Sequence, residues 1–156
     1  MRRALDTGLV LLLAGGLALA GAPVALAGPA RETRLESDHH RGSARVHFIA
    51  VTHDGRERRG QHFTAARVRI LKIDVEWLTL VGAHTQRLDL ITPDGSVYQR
   101  FTAHVESVTG RATVETLLPV AGTWITEFSL EGQWTVNVYL DNAGTPVATA
   151  SFTLSN

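Results

Sequence analysis

The sequence predicts an all-β domain, a sandwich or a barrel of about eight or nine mainly antiparallel strands, placed after an N-terminal signal peptide. From Ala44 onward, apolar residues alternate with polar residues over short segments, as they do in half-buried strands. Clusters of Gly, Pro, Asp and Asn separate these segments and are typical of turns. No stretch after the signal has a helical period of useful length, so the fold class follows from these three observations.

The N-terminal segment has the three parts of a secretory signal. A basic start at residues 1–3 is followed by an apolar run at residues 9–20 and by the small-residue site Ala25-Leu26-Ala27. We therefore expect residues 1–27 to be a signal peptide that is removed before Gly28.

We expect the protein to be exported and to have no membrane anchor. Cleavage after Ala20 or Ala22 also satisfies the small-residue requirement, and either site leaves the rest of the chain unchanged. No second apolar run follows, so we expect no membrane span once the signal is removed. The sequence leaves open whether the protein is periplasmic or extracellular.

Composition excludes several classes of protein. The chain has 156 residues, a formal net charge of zero and no cysteine. A neutral chain lacks the basic field that nucleic acids attract, so we expect no nucleic-acid partner. The absence of cysteine excludes a disulfide scaffold, a thiol nucleophile and thiolate metal ligands. We expect no cofactor.

Residues 28–43 are predicted to form a flexible polar leader, because Leu35 is the only sizeable apolar side chain among them. Residues 44–156 form the predicted domain. Its first strand begins at Ala44, with Val46, Phe48 and Ala50 on one face.

A polar loop is expected at residues 53–60. The next segment, residues 66–81, changes its alternation partway along. Val68 and Ile70 share one phase, whereas the apolar residues that follow share the opposite phase. This change predicts a β-bulge near Leu71 and Lys72.

The clearest hairpin surrounds Thr92-Pro93-Asp94-Gly95, because proline presets φ and glycine tolerates positive φ in tight turns. It leads from the strand containing Leu88 and Leu90 to a strand at residues 97–105. Further strands are predicted at residues 111–118 and 123–128.

The last hairpin is nearly as clear. The apolar residues of its first strand alternate with polar ones, and they are Trp134, Val136, Val138 and Leu140. A turn at residues 141–144 leads to a final strand at residues 146–154.

The Gly132-Gln133-Trp134 strand within residues 130–141, followed by the strand at residues 148–154, resembles the closing strand pair of bacterial immunoglobulin-like and fibronectin type III-like domains. The hairpin at residues 88–95 is also similar to strand pairs in such domains. The resemblance implies an immunoglobulin-like antiparallel β-sandwich of about eight or nine strands. It implies a fold and no particular function.

Histidines are the candidate metal ligands, since neutral imidazole binds many metals. Five of the chain's seven histidines lie close together in sequence, and His39, His40 and His47 are the candidates we select. The alternative interpretation is that these histidines are solvated loop residues.

No catalytic motif occurs, because the sequences Gly-x-Ser-x-Gly, Ser-x-x-Lys and His-Glu-x-x-His are all missing. Asp74 and Glu76 alternate with apolar residues and are interpreted as the solvated face of a strand. We therefore expect no enzymatic activity.

Aromatic residues offer candidate contacts for a glycan or a protein partner. Trp77 and Trp134 are in phase with apolar neighbours and are predicted to lie in the core. Trp124 and Tyr139 are the candidates for exposed contact residues, and Tyr139 is in phase with polar neighbours.

The sequence therefore predicts an exported, non-enzymatic binding module that recognises a protein partner in the cell envelope through edge strands or loops. A periplasmic metal-handling protein that uses loop histidines, or a carbohydrate-binding module, is the alternative. The oligomeric state is left open.

Overall fold

The computed structural model describes residues 42–156. The predicted signal peptide at residues 1–27 lies outside the described residues, as do His39, His40 and most of the leader predicted at residues 28–43. The described residues form an all-β domain with one mixed, curled sheet of seven strands. Within this part of the chain, no helix has the length and apolar character needed to cross a membrane.

The elements follow in chain order. They are β1 (Ala44–Thr52), β2 (Glu57–Arg59), β3 (His62–Thr64), a 3₁₀ turn (Ala65–Arg67), β4 (Val68–Ile91), β5 (Val97–Pro119), α1 (Trp124–Glu127), β6 (Gly132–Leu140) and β7 (Ala148–Ser155). The strand order is β2-β1-β4-β6-β7-β3, and β5 pairs with β4. The β3–β7 pair is parallel, and the other pairs are antiparallel.

Two long strands explain the curl of the sheet. The first part of β4 pairs with β1 and its last part pairs with β6, while β5 follows both parts. The β4–β5 register shifts between Trp77 and Leu80 and again between Leu80 and Gly82. Gly82 and Gly110 adopt φ of +96° and +84° at this bend, where a side chain would strain the backbone. The described residues have seven strands instead of eight or nine, because β4 and β5 continue through the bend.

The buried face of β4 changes parity across the bend. Leu71, Ile73 and Val75 are buried before it, whereas Leu88 and Leu90 are buried after it. Irregular pairing in a strand re-aims its side chains, so both parts of β4 can face one core.

The largest fully buried side chains of that core are aromatic. The Phe48 ring of β1 lies 5.0 Å from the Phe152 ring of β7, although these strands are not sheet neighbours. Phe152 also stacks on Trp134 with ring centroids 6.0 Å apart. Trp77 and Trp134 are both 0% exposed, which confirms their predicted place in the core.

Other local predictions are confirmed. Phe48 and Ala50 are buried on β1, and the alternation of β6 buries its four predicted apolar residues. The turn after Ile91 is closed by hydrogen bonds from Gly95 N to Thr92 O at 3.0 Å and from Thr92 N to Ser96 O at 2.9 Å.

The bulge expected near Leu71 and Lys72 is displaced toward the start of β4. Val51 pairs with Ile70 and Thr52 pairs with Val68, so the β1–β4 register skips Arg69. The loop expected at residues 53–60 also contains a strand, since the exposed residues of β2 pair with β1.

The strand predicted at residues 123–128 is wrong, because this segment contains the helix α1. Thr123 caps the helix by accepting a hydrogen bond from Ile125 N at 3.3 Å. Its backbone oxygen accepts a bond from Glu127 N at 2.9 Å. Two apolar residues four positions apart, Trp124 and Phe128, therefore share one side of a helical turn.

Candidate binding surface

A cleft of about 540 Å³ lies between the β4–β5 turn, the start of β5 and α1. Its walls come from three short segments of the chain. The lining residues are Thr92, Asp94, Ser96, Val97, Tyr98, Gln99, Thr123 and Trp124. We call this feature the α1 cleft.

The turn side of the α1 cleft is rigidly built. Thr92 is buried, and its hydroxyl donates to the carboxylate of Asp94 and accepts a hydrogen bond from Ser96 N at 3.1 Å. Gly95 adopts φ of +89°, which a side chain at this position would disfavour. This side of the cleft is therefore held by the turn sequence itself.

Asp94 places a negatively charged carboxylate at the α1 cleft. The Thr92 hydroxyl and the backbone N–H of Ser96 both donate to its carboxylate, and these bonds hold the pKa of Asp94 below its usual value. Asp94 is exposed, so its charge faces solvent and any bound molecule.

The helix side presents aromatic surface. Ile125 is 1% exposed and anchors α1 to the core, whereas Trp124 is 66% exposed and Phe128 is 62% exposed. The two exposed rings meet edge to face with centroids 5.9 Å apart. Val97, at the start of β5, is also exposed beside Trp124. We call Val97, Trp124 and Phe128 the α1 patch.

A molecule bound at the α1 patch would remove apolar surface from water, and the α1 cleft supplies groups that can form hydrogen bonds with it. Large aromatic side chains with a polar rim are typical of protein-binding surfaces, because they bury much apolar area while the rim orients the partner. The same combination of an aromatic ring and polar groups also suits a sugar.

Of the two predicted contact residues, only Trp124 lines the α1 cleft. Tyr139 is half-buried on β6, where the guanidinium carbon of Arg87 lies 3.9 Å from its ring centroid. This cation–π contact covers one face of the ring. The structure therefore does not bring Trp124 and Tyr139 into one site.

A buried carboxylate lies on the same sheet as Tyr139. Asp89 is 5% exposed and accepts hydrogen bonds from Arg100 Nε at 2.7 Å and Arg100 Nη2 at 3.2 Å. Arg87 Nε lies 3.4 Å from the same carboxylate. Paired charges of this kind hold neighbouring strands in register.

His47 lies on β1, with its Nε2 atom 3.5 Å from Glu76 Oε2. Asp74 is its cross-strand neighbour on β4. In residues 42–156, no group of three or more His, Cys, Asp or Glu residues is arranged to hold a metal ion. Since His39 and His40 are not described, the metal site proposed on these three histidines stays a prediction.

Sequence reasoning missed Val97 and Phe128 as members of the exposed surface. The spacing of Trp124 and Phe128 by four residues after a threonine is the signal that indicates one turn of helix with both rings on one side. Val97 follows the turn residues directly and gives no comparable signal.

Comparison of the chain with protein-family models and with curated proteins finds no match. The class of protein is defined by its fold and its surface: it is an all-β domain with an exposed aromatic patch beside a polar cleft.

Proposed function

We propose that this chain is an exported, non-enzymatic interaction module that recognises a protein partner of the cell envelope, in the periplasm or outside the cell. The α1 patch is the observation that carries the proposal. An indole and a phenyl ring in mutual contact, both more than half exposed, form an apolar surface that a protein partner would remove from water. The signal peptide predicted at residues 1–27 supports the proposal of export.

The fold we propose for this module is an immunoglobulin-like β-sandwich. One layer would contain β1, β2, the first part of β4 and the last part of β5. The other would contain the remaining parts of β4 and β5 together with β6, β7 and β3. Contact between Phe48 and Phe152 supports this arrangement, since it joins strands of the two layers across the core.

The test compares wild-type protein with the variant Trp124→Ser/Phe128→Ser, each immobilised and exposed to an envelope extract of the producing cells. Val108→Ser is the matched control, because Val108 is 88% exposed and lies outside the α1 patch. Surface changes of this kind alter stability by less than about 0.5 kcal/mol.

Quantitative mass spectrometry should find a protein that wild type and the control retain and that the double variant loses. Equal retention of every captured protein by the double variant would overturn the proposal.

A carbohydrate-binding function is the second candidate, favoured by the polar residues beside Trp124. Ser96, Asp94 and Gln99 supply hydroxyl, carboxylate and amide groups within the α1 cleft. A glycan microarray distinguishes the two functions. Specific glycan signals that Trp124→Ala abolishes would support sugar binding, and the absence of any signal would remove this candidate.

A further inference from the structure

The last part of β5 presents an open edge. In the described part of the chain, β5 pairs only with β4. Its register against β4 is unbroken from Ala112, opposite Trp77, to Pro119, opposite Ile70. An open edge of regular backbone is a template for another strand.

The direction of the backbone groups on this edge follows from one hydrogen bond. Val120 N donates to Arg69 O of β4 at 3.0 Å. Because successive residues of a strand point their N–H and C=O groups to opposite edges, the even-numbered residues before Val120 bond to β4. The odd-numbered residues direct both backbone groups to the open edge, and they are Arg111, Thr113, Glu115 and Leu117.

The side chains at these odd positions are exposed. Two of them, Arg111 and Glu115, are four residues apart and carry opposite charges. The Arg111 side chain is 74% exposed and its Nη1 atom lies 4.0 Å from Glu76. The Glu115 side chain is 48% exposed and lies 3.5 Å from Lys72 Nζ. Such exposed pairs are weak, so both charges are available to another partner.

We propose that β5 pairs edge to edge with β5 of a second copy of this chain, antiparallel, with Thr113 opposite Thr113 at the two-fold axis. Arg111 of each copy then lies opposite Glu115 of the other, which gives two reciprocal ion pairs. On the core side, Ala112 lies opposite Val114. Both are half-buried in the single chain, so the second copy covers their exposed parts.

Charge selects this register over its neighbours. A two-fold axis at residue 111 places Arg111 opposite Arg111, and an axis at residue 115 places Glu115 opposite Glu115, both of which repel. Axes at residues 112 and 114 leave Arg111 opposite an uncharged residue. Only the axis at Thr113 satisfies both charges.

The pairing has natural ends. The bend at Gly110 interrupts the edge, and because residue 110 lies opposite residue 116 across the two-fold axis, it sets both ends of the ladder. In the first part of β5, an axis at Ala103 would place Arg100 opposite Glu106, but two hydrogen bonds already hold Arg100 on the carboxylate of Asp89. A ladder of about seven residues predicts a reversible dimer.

Sedimentation velocity of the protein purified from its producing cells, over a range of concentrations, tests the proposal. Wild type should dimerise reversibly, and Arg111→Glu or Glu115→Arg alone should raise the dimer dissociation constant by about tenfold. The double variant Arg111→Glu/Glu115→Arg should restore dimerisation. Arg45→Glu, an exposed charge reversal on β1, is the control and should leave it unchanged.

Thr113→Pro removes a donor that points away from β4, so it should abolish the dimer while the melting temperature is retained. A protein that stays monomeric up to about 1 mM, single charge reversals without effect, or a double variant that fails to recover would each overturn the proposal. The variant Trp124→Ser/Phe128→Ser should dimerise like wild type, which separates this inference from the proposed function.

Discussion

Trp77 donates a hydrogen bond from Nε1 to Gln86 Oε1 at 2.8 Å, and this bond joins the two parts of β4 across its bend. Trp77 is 0% exposed and Gln86 is 1% exposed. Trp77 faces the core before the bend and Gln86 after it, so the bond fixes how far β4 turns. A buried indole N–H needs an acceptor, and here the same strand supplies it.

Gln86→Leu should therefore destabilise the domain by about 1–3 kcal/mol, because it leaves the Trp77 N–H buried without an acceptor. Chemical denaturation followed by circular dichroism measures the loss. Gln99→Leu is the control, since Gln99 is exposed and its change should alter the free energy of unfolding by less than about 0.5 kcal/mol. Equal effects of the two changes would show that the buried bond contributes nothing.

Gly132 begins β6 with φ of +128°, and a Cβ atom there would lie 2.9 Å from the Pro93 ring. Gly132→Ala should cost about 1–3 kcal/mol, because it combines backbone strain with a clash. Thermal unfolding compares it with Gly144→Ala, where a Cβ atom would have nothing within 4 Å and φ is not positive. If both variants have the same melting temperature, the close approach of Gly132 to Pro93 is contradicted.

His84 predicts a pH dependence. Its Nδ1 lies 3.0 Å from Asp141 Oδ2 and its Nε2 lies 3.0 Å from Val81 O. Both partners accept hydrogen bonds, so the ring can donate to both of them only when it is doubly protonated. The hydrogen bond with Asp141, and then that with Val81 O, raises the pKa of His84, and the bond with His84 lowers the pKa of Asp141.

The stabilisation from His84 is complete below about 6.5, the ordinary pKa of histidine, and is lost as pH rises through the raised pKa of the folded state. The stabilisation from Asp141 is lost only in acid, as pH falls through the lowered pKa of its carboxyl group. Wild type should thus lose stability as pH rises above about 6.5, by less than about 1 kcal/mol because solvent screens the pair.

Unfolding free energies across this pH range measure the effect. His84→Gln should flatten the dependence, whereas His53→Gln, at an exposed loop position, should preserve it. A wild-type slope that survives His84→Gln would assign the dependence to other groups.

Local patterns predicted those parts of the fold that depend on local interactions. The alternation that buries Trp134 and Val136 on β6 can be read from the sequence because each side chain meets one sheet face. The turn at residues 92–95 is readable because proline and glycine occupy the positions that demand them.

The bend of β4 could not be predicted, because it depends on β1 and β6 pairing with successive parts of the same strand edge. Pairing between distant segments leaves no local pattern. The contact of Arg87 with Tyr139 was missed for the same reason, since β4–β6 register places them opposite each other. α1 was missed because four residues are too few to show a helical period.

Photo-crosslinking in intact producing cells tests the proposed function most directly. A photoreactive phenylalanine analogue replaces Phe128 in the α1 patch or, as a control, Asn142 in the exposed β6–β7 turn. Position 128 should give one recurrent protein adduct that position 142 does not give. The same adducts from both positions, or none from position 128, would contradict a protein-binding surface at α1.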